Sequence, residues 1–440
     1  MVYGPPMLRP GIGRTFVLCS LCLAAGLFPP AVARATPQDL FGFGLRSPAL
    51  GQTGVSYSDD FEAAFTNPAG LARARRRSIT LGFHAGVYDL EVDGRRFPID
   101  ASRGLLIGFE LPVPFGGFLE DRIVIGGGFY TPAKALLEGT IAYPEAPQFL
   151  VLERAQATAV QVGVGFDMHG WVDGLRLGAG VSVTADVLGD LFVRLDETNS
   201  FSSQVESQLV AAYAPMAGVS WDDETVGFGV VYRAELMGVM NLAVTTSDLP
   251  VAVPVLAIGG IVHYDPPMLA GEAFYRPLPD LMLVAHLTTR FWSAYPGPQQ
   301  KTTSSSNLAP DPDFSTVLSP RVAAEGTLRD GRLALHLRGG YVFEPSPSPP
   351  ARMAPLRDRS GAATSDLVPM RHLDNDRHVL TAGAGLTYEL DESTRLSFDM
   401  YGQLHLLTTR EHDIGVREGA DDMETSGTVL AGGWSMGLEF

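Results

Sequence analysis

Apolar and polar positions alternate with a period of two along most of the chain. In "TRLSFDMYGQLHLL", Leu396, Phe398, Met400, Leu404 and Leu406 share one face, and Ser397, Asp399, Gln403 and His405 share the other. "GRLALHLRGGYVF" repeats the pattern, with Leu333, Leu335, Leu337, Tyr341 and Phe343 opposite Arg332, His336 and Arg338. So does "TVGFGVVYR", where Val226, Phe228, Val230 and Tyr232 stand against Thr225, Gly227, Gly229 and Arg233. Strands are expected to begin near Ser78, Ala101, Asp121, Gln156, Gly174, Gln204, Glu224, Pro267, Asp280, Val317, Arg332, Arg377, Thr394 and Gly427. That makes about fourteen, an even number, as in single-chain bacterial membrane barrels.

A soluble sandwich also alternates, so the connections decide between the two architectures. Short turns at Trp221, Arg329 and Leu390 are interleaved with long polar or proline-rich loops at Tyr295–Thr316 and Glu344–Asp376. A membrane barrel sorts its loops by end in this way, and a sandwich has no reason to. The last strand, "TVLAGGWSMGLEF", puts Leu430, Trp434, Met436, Leu438 and Phe440 on one face. In a soluble protein such an apolar strand is an aggregation hazard; in a barrel it closes the wall and faces lipid. The reading is all-β: a transmembrane antiparallel β-barrel with a lumenal plug.

Residues 1–35 read as a signal peptide. Arg9 and Arg14 precede an apolar run from Phe16 to Phe28, followed by small residues at Ala31, Ala33 and Ala35. Both cysteines, Cys19 and Cys22, lie in that run, so the mature chain is expected to have no disulfide and no cysteine-based metal or nucleophile chemistry. No later window offers the roughly 18 consecutive apolar residues of a membrane helix. The chain carries a formal charge of −17 with only 18% charged residues and 49 glycines. That balance argues against a nucleic-acid partner and suits sheets that pack closely.

Residues 36–77 are too broken by glycine and proline for a long strand and too apolar for a disordered leader. Phe41, Phe43, Leu45, Leu50, Val55, Phe61, Phe65 and Leu71 need burial, and the barrel lumen offers it. They predict an N-terminal plug, with residues 78–440 forming the barrel. Pro68 fixes its own φ and biases Asn67 to an extended shape, so Asn67, Pro68 and Ala69 form a turn between plug and wall.

The stretches "PALGQTGVSYSDDFEAAFTNPAGLA", "LRGGYVFEPSPSPP", "LDNDRHVLTAGAGLTYEL" and the closing aromatic strand resemble the FadL-type outer-membrane transporters of long-chain fatty acids and other hydrophobic compounds. The resemblance implies a fourteen-stranded barrel, an N-terminal hatch and sideways passage of the ligand through a gap in the wall. It also leaves room for a non-transporting barrel acting as a structural or secretion accessory. The closing strand, with Trp434 and Phe440, is similar to the signal read by the barrel assembly machinery.

On this reading the partners are a hydrophobic small molecule such as a fatty acid or hydrocarbon, outer-membrane lipid and the assembly machinery, with a monomer expected and no cofactor implied. Phe41, Phe43, Leu45, Phe61 and Phe65 of the plug and Leu136, Leu137, Phe149 and Leu150 of a long loop are the candidate ligand contacts. The apolar segment with Val253, Val255, Leu256, Ile258 and Ile261 either joins them in a groove or adds a strand. Gly126, Gly127 and Gly128 in the third strand either kink it into the lateral gap or admit plug side chains. Arg73–Arg77 are expected at the rim, against lipid phosphates or Asp59, Asp60 and Glu62. Arg233, His336 and Arg338 are expected in the lumen, because a lipid-facing arginine near the midplane costs roughly 2–4 kcal/mol. His412 beside Asp413 is weak ground for a hydrolase, and no HExxH occurs.

Overall fold

The structure, a computed structural model, describes residues 38–97, 101–133, 158–195, 201–247, 256–297, 299–301, 307–358, 360–415 and 422–440. The expected signal peptide lies outside them. Fourteen strands form the wall, numbered here in chain order: β1 (Ser78–Val92), β2 (Ser102–Pro112), β3 (Ile123–Pro132), β4 (Ala159–Asp167), β5 (Leu175–Leu195), β6 (Phe201–Asp222) and β7 (Val226–Arg233). There follow β8 (Met268–Leu278), β9 (Leu281–Arg290), β10 (Val317–Asp330), β11 (Leu333–Glu344), β12 (Arg377–Glu389), β13 (Arg395–Glu411) and β14 (Glu424–Glu439).

Each pairs antiparallel with the next. The ring closes through β1 and β14, in register from Ser78↔Glu439 to Val92↔Thr425. Closure pairs the first strand with the last, so the ring has no free edge along the β1–β14 seam. Among the described residues no helix is long and apolar enough to cross a membrane.

The period of two becomes an inside and an outside. Along β2, Leu105, Ile107, Phe109 and Leu111 are exposed, and Ser102, Gly104, Leu106, Gly108 and Glu110 are buried. The outer face continues through Leu81, Val230, Leu283, Val322, Leu380, Leu430 and Met436. A band of this extent far exceeds the few hundred Å² of apolar patch that a soluble monomer tolerates, and it suits lipid. Arg233 and the side chain of Arg338 are buried on the inner face, and the ring of His336 lies there as well.

Short turns gather at the end holding Ser78 and Phe440, and the longer connections gather at the other, the loop end. Several loop-end segments are themselves strands. Leu236–Ser247 pairs with Leu256–Asp265 and, in parallel, with the upper part of β5. Leu256 and Ile258 therefore belong to an added strand rather than to an irregular groove, because this apolar run pairs its backbone with a neighbour. Val253 and Val255 lie outside the described residues. Arg352–Arg357 and Ala363–Met370 form a separate two-stranded hairpin. Ile261, Tyr264, Trp292, Tyr295, Phe314 and Val317 bury one another beneath these loops.

Candidate functional site

Residues 38–74 fill the lumen in three one-turn helices, α1 (Gln38–Phe41), α2 (Arg46–Ala49) and α3 (Ala63–Thr66), followed by a 3-10 turn at Pro68–Arg73. Helices this short do not hold themselves, so side chains fix them. Glu62 accepts from the backbone N–H groups of Leu45, Arg46 and Ser47, capping α2. Burial pushes its carboxyl up to about 7, and these three donors pull the other way. Burial, with Glu62 and Asp59 nearby, raises Asp60 well above the usual carboxylate range. Gly44 is required twice over: its φ is +83°, and a Cβ there would strike the Glu62 carboxylate.

Asn67 is extended, at φ −165° and ψ 107°, as its position before proline dictates. Its Oδ1 accepts from Ala69 N at 3.1 Å, and its Nδ2 donates to Val55 O at 2.7 Å and to Val219 O of β6 at 3.1 Å. Asn67, Pro68 and Ala69 thus form one turn that ties two plug segments to the wall.

The plug meets the wall in two different ways. Around the arc β6–β13 it is bound by polar groups. Glu272 of β8 accepts from Gly54 N, Ser56 N and Ser56 Oγ at 2.8, 2.8 and 2.6 Å, and its other neighbour is His286 Nδ1 at 2.8 Å. Arg321 donates to Gln52 O, Gln403 to Phe41 O and Pro48 O, and Thr381 to Ala49 O. Asp39 pairs with Arg233 and Arg290, and Arg46 with Glu325.

Around the arc β14–β1–β5 the contacts seen between the plug and the described wall residues are packing. There the wall is glycine where the plug presses hardest. A Cβ at Gly108 would lie 2.4 Å from Phe61, at Gly126 2.5 Å from Leu71, at Gly128 2.5 Å from Phe43, and at Gly178 2.0 Å from Ala69 N.

The triple glycine is therefore not a gap in this structure. β3 pairs without interruption with β2 from Gly104↔Pro132 to Pro112↔Val124, and with β4 from Ile123↔Phe166 to Tyr130↔Ala159. Gly126 and Gly128 face inward and receive Leu71 and Phe43; Gly127 faces outward beside Phe109.

Phe41, Phe43, Leu45, Phe61 and Phe65 are all buried, the first four on the packed arc and Phe65 beneath Arg233 of β7. Phe43, Leu45, Phe61 and Phe65 cluster with Leu106, Tyr130 and Tyr401, while Phe41 joins Tyr88, Leu90, Leu373 and Val429. Leu136, Leu137, Phe149 and Leu150 lie outside the described residues. Trp434 and Phe440 point outward, and the backbone of Phe440 pairs with that of Arg77.

The arginine run differs from expectation. Arg73 binds Asp222, Arg75 binds Asp167, and Arg76 binds Glu389 and Glu439, all acids at the turn end of the wall. The chain leaves the lumen there, which carries these side chains past Asp60 and Glu62 to the rim. His412 donates to or accepts from Thr425 Oγ1, while Asp413 accepts from Gly415 N, so the two form no pair.

Two cavities adjoin the plug. The larger, about 770 Å³, lies on its turn-end side and is lined by Arg46, Asp60, Glu110, Glu325, Arg338 and Asp399 among others. It is a charged vestibule: Glu325 bridges Arg46 and Arg338, each at 2.7 Å. The smaller, about 20 Å³, lies between the plug and β1, β2 and β3, at Gln38, Phe43, His84, Leu106 and Tyr130. Gln38, His84 and Tyr130 escaped the sequence reading. The inward parity of β1 and β3 held the signal for the last two, since His84 shares a face with Gly82 and Gly86, and Tyr130 with Gly126 and Gly128.

No protein-family profile matches the chain, and no curated protein matches it in sequence. Solved structures share its fold. A FadL homologue from Pseudomonas aeruginosa is 15% identical with a TM-score of 0.56, over 93% of this chain and 98% of that one. The toluene transporter TodX of P. putida is 13% identical with a TM-score of 0.52, over 91% and 99%. The fold shared with these FadL-type proteins is thus the closed barrel of fourteen antiparallel strands.

Proposed function

We propose that the protein is an outer-membrane conduit for hydrophobic small molecules, fatty acids and hydrocarbons being candidates, with the loop end outside and the turn end in the periplasm. The observation that carries this is the two-sided seat of the plug. On the β14–β5 arc the contacts seen among the described residues are packing, so the plug can withdraw there without breaking any of the hydrogen bonds described above, and the surface it would uncover is Phe41, Phe43, Phe61 and Leu71. Such a surface binds alkyl or aromatic groups at roughly 0.8 kcal/mol per methylene without polar recognition.

The straight route downward is unsuited to the same cargo. It leads into a vestibule of ion pairs, where an apolar molecule gains nothing. Release sideways, through the wall of the β14–β5 arc, fits the chemistry better and requires one ladder there to part.

Cells carrying the protein should take up radiolabelled oleate or toluene faster than cells lacking it, with no gain in permeability to small sugars. Equal uptake would refute the reading. Equal uptake together with a protein partner recovered in mild detergent would favour the accessory role, which the unbroken wall also accommodates.

A further inference from the structure

The smaller cavity carries a more specific inference, which rests on the function just proposed. Its walls are mostly apolar: Phe43 and Leu106 line it, and Phe41 packs on the His84 ring at 4.9 Å. Into this setting project polar atoms without a hydrogen-bond partner among the described residues: Oε1 and Nε2 of Gln38, Nε2 of His84 and the hydroxyl of Tyr130. Gln38 and Tyr130 are 3% and 4% exposed, so water around the protein does not serve them. The other ring nitrogen of His84, Nδ1, is already bonded to the Tyr401 hydroxyl.

Three side chains from the plug, β1 and β3 thus converge on one small space with unmade hydrogen bonds, each costly to leave so. The space of about 20 Å³ is that of a single oxygen-sized group.

We propose that this cavity is the head-group site of the transported molecule, and that the molecule is a neutral hydroxylated hydrophobe, a phenol or an alcohol. A hydroxyl both donates and accepts, so it can satisfy the Gln38 amide and one of its neighbours together. A bare hydrocarbon leaves those atoms unmet. A carboxylate only accepts, and it would bring a charge to a site that no lysine or arginine lines. Arg233 and Arg290, the cations that reach the plug nearby, are bound to Asp39, and Arg233 also stacks on Phe65. The volume fits the head alone, so the hydrocarbon body would take over the aromatic contacts that Phe41 and Phe43 now make.

The test is calorimetric titration of the purified full-length protein in detergent with a ring-matched set: p-cresol, toluene and p-toluate at pH 7.5. p-Cresol should bind about tenfold more tightly than toluene, the worth of roughly one buried hydrogen bond. p-Toluate should bind more weakly than p-cresol. Gln38→Leu and Tyr130→Phe, each checked for a folded barrel by heat-modifiable gel mobility, should bring the cresol-to-toluene ratio towards one.

Equal affinities for p-cresol and toluene in the wild-type protein would overturn the inference while leaving the hydrophobe conduit standing, the polar atoms then serving water alone. Tightest binding of p-toluate would overturn it in favour of an anion site. Binding of none of the three would remove the proposed function and this inference together. The wild-type ratio decides even where a variant fails to fold.

Discussion

Glu272→Gln should unseat one edge of the plug while leaving the barrel intact. The carboxylate meets Gly54 N, Ser56 N, Ser56 Oγ and His286 Nδ1, all within 2.8 Å. An amide keeps one acceptor oxygen and turns an NH2 towards the other side. Whichever way it is turned, a backbone N–H of Gly54 or Ser56 then faces a donor in a fully buried site, and the remaining bonds lose their charge assistance. Losing one charge-assisted bond and leaving one buried donor unmet costs about 3 kcal/mol. At 1.4 kcal/mol per tenfold, that is roughly a hundredfold rise in the population with this edge open.

Hydrogen exchange at Gly54 and Ser56 should accelerate by about that factor. Single-protein conductance in planar bilayers should show openings absent from the wild type, since the Asn67 tie at β6 would persist while the β8 tie fails. Glu224→Gln, exposed in the β6–β7 turn, is the matched control. Unchanged protection of Gly54 and Ser56 in the folded variant would refute the claim that Glu272 holds the plug.

Three further outcomes are expected. Gly128→Val should push Phe43 off β3, costing roughly 1–3 kcal/mol and weakening hydrophobe binding, whereas Gly271→Val, with nothing within 4 Å of its Cβ, should be silent; equal melting and binding of the two would count against the close seat of Phe43. Burial, reinforced by Arg352, holds the loop imidazole of His372 at about 4, below its ordinary 6.5. The folded form binds fewer protons than the unfolded one between these values, so its contribution is present above pH 6.5 and is lost as the pH falls towards 4. Exchange at Trp292 and Tyr295, which pack on Phe314 beneath that ring, should quicken over this window, and flat exchange from pH 7.5 to 4.5 would contradict it. Deleting Phe440, or replacing it with Asp, removes an apolar ring at the end of the closing strand and should lower the yield of heat-modifiable barrel; full yield would show that closure does not need it.

The wall was legible because lipid outside and lumen inside impose one parity on every strand. Each of the fourteen starts falls within three residues of where alternation put it. The plug was legible for the converse reason: Phe41, Phe43, Leu50 and Phe61 are apolar without alternation and needed an interior. What alternation cannot carry is the identity of a neighbour. Gly128 reads as a kink or a contact until Phe43 is seen against it. The Glu272 clamp joins residues more than two hundred positions apart, and Ser56, Glu272 and His286 have nothing local to mark them. The added strand at Leu256–Asp265 was obscured because its apolar residues fit a groove as well as a ladder.

The tight glycine seam also constrains the order of assembly. The lumen gives the plug less clearance than a methyl group at Gly108, Gly126, Gly128 and Gly178. A finished ring with those clearances is too narrow to be threaded by residues 38–74, and the plug is joined through Arg77 to β1, one of the two strands that close the ring. The wall is therefore expected to be laid around a plug already in place. The plug is then a template as well as a stopper, and a chain shortened at its start should fail by leaving the cylinder without a mandrel to close upon.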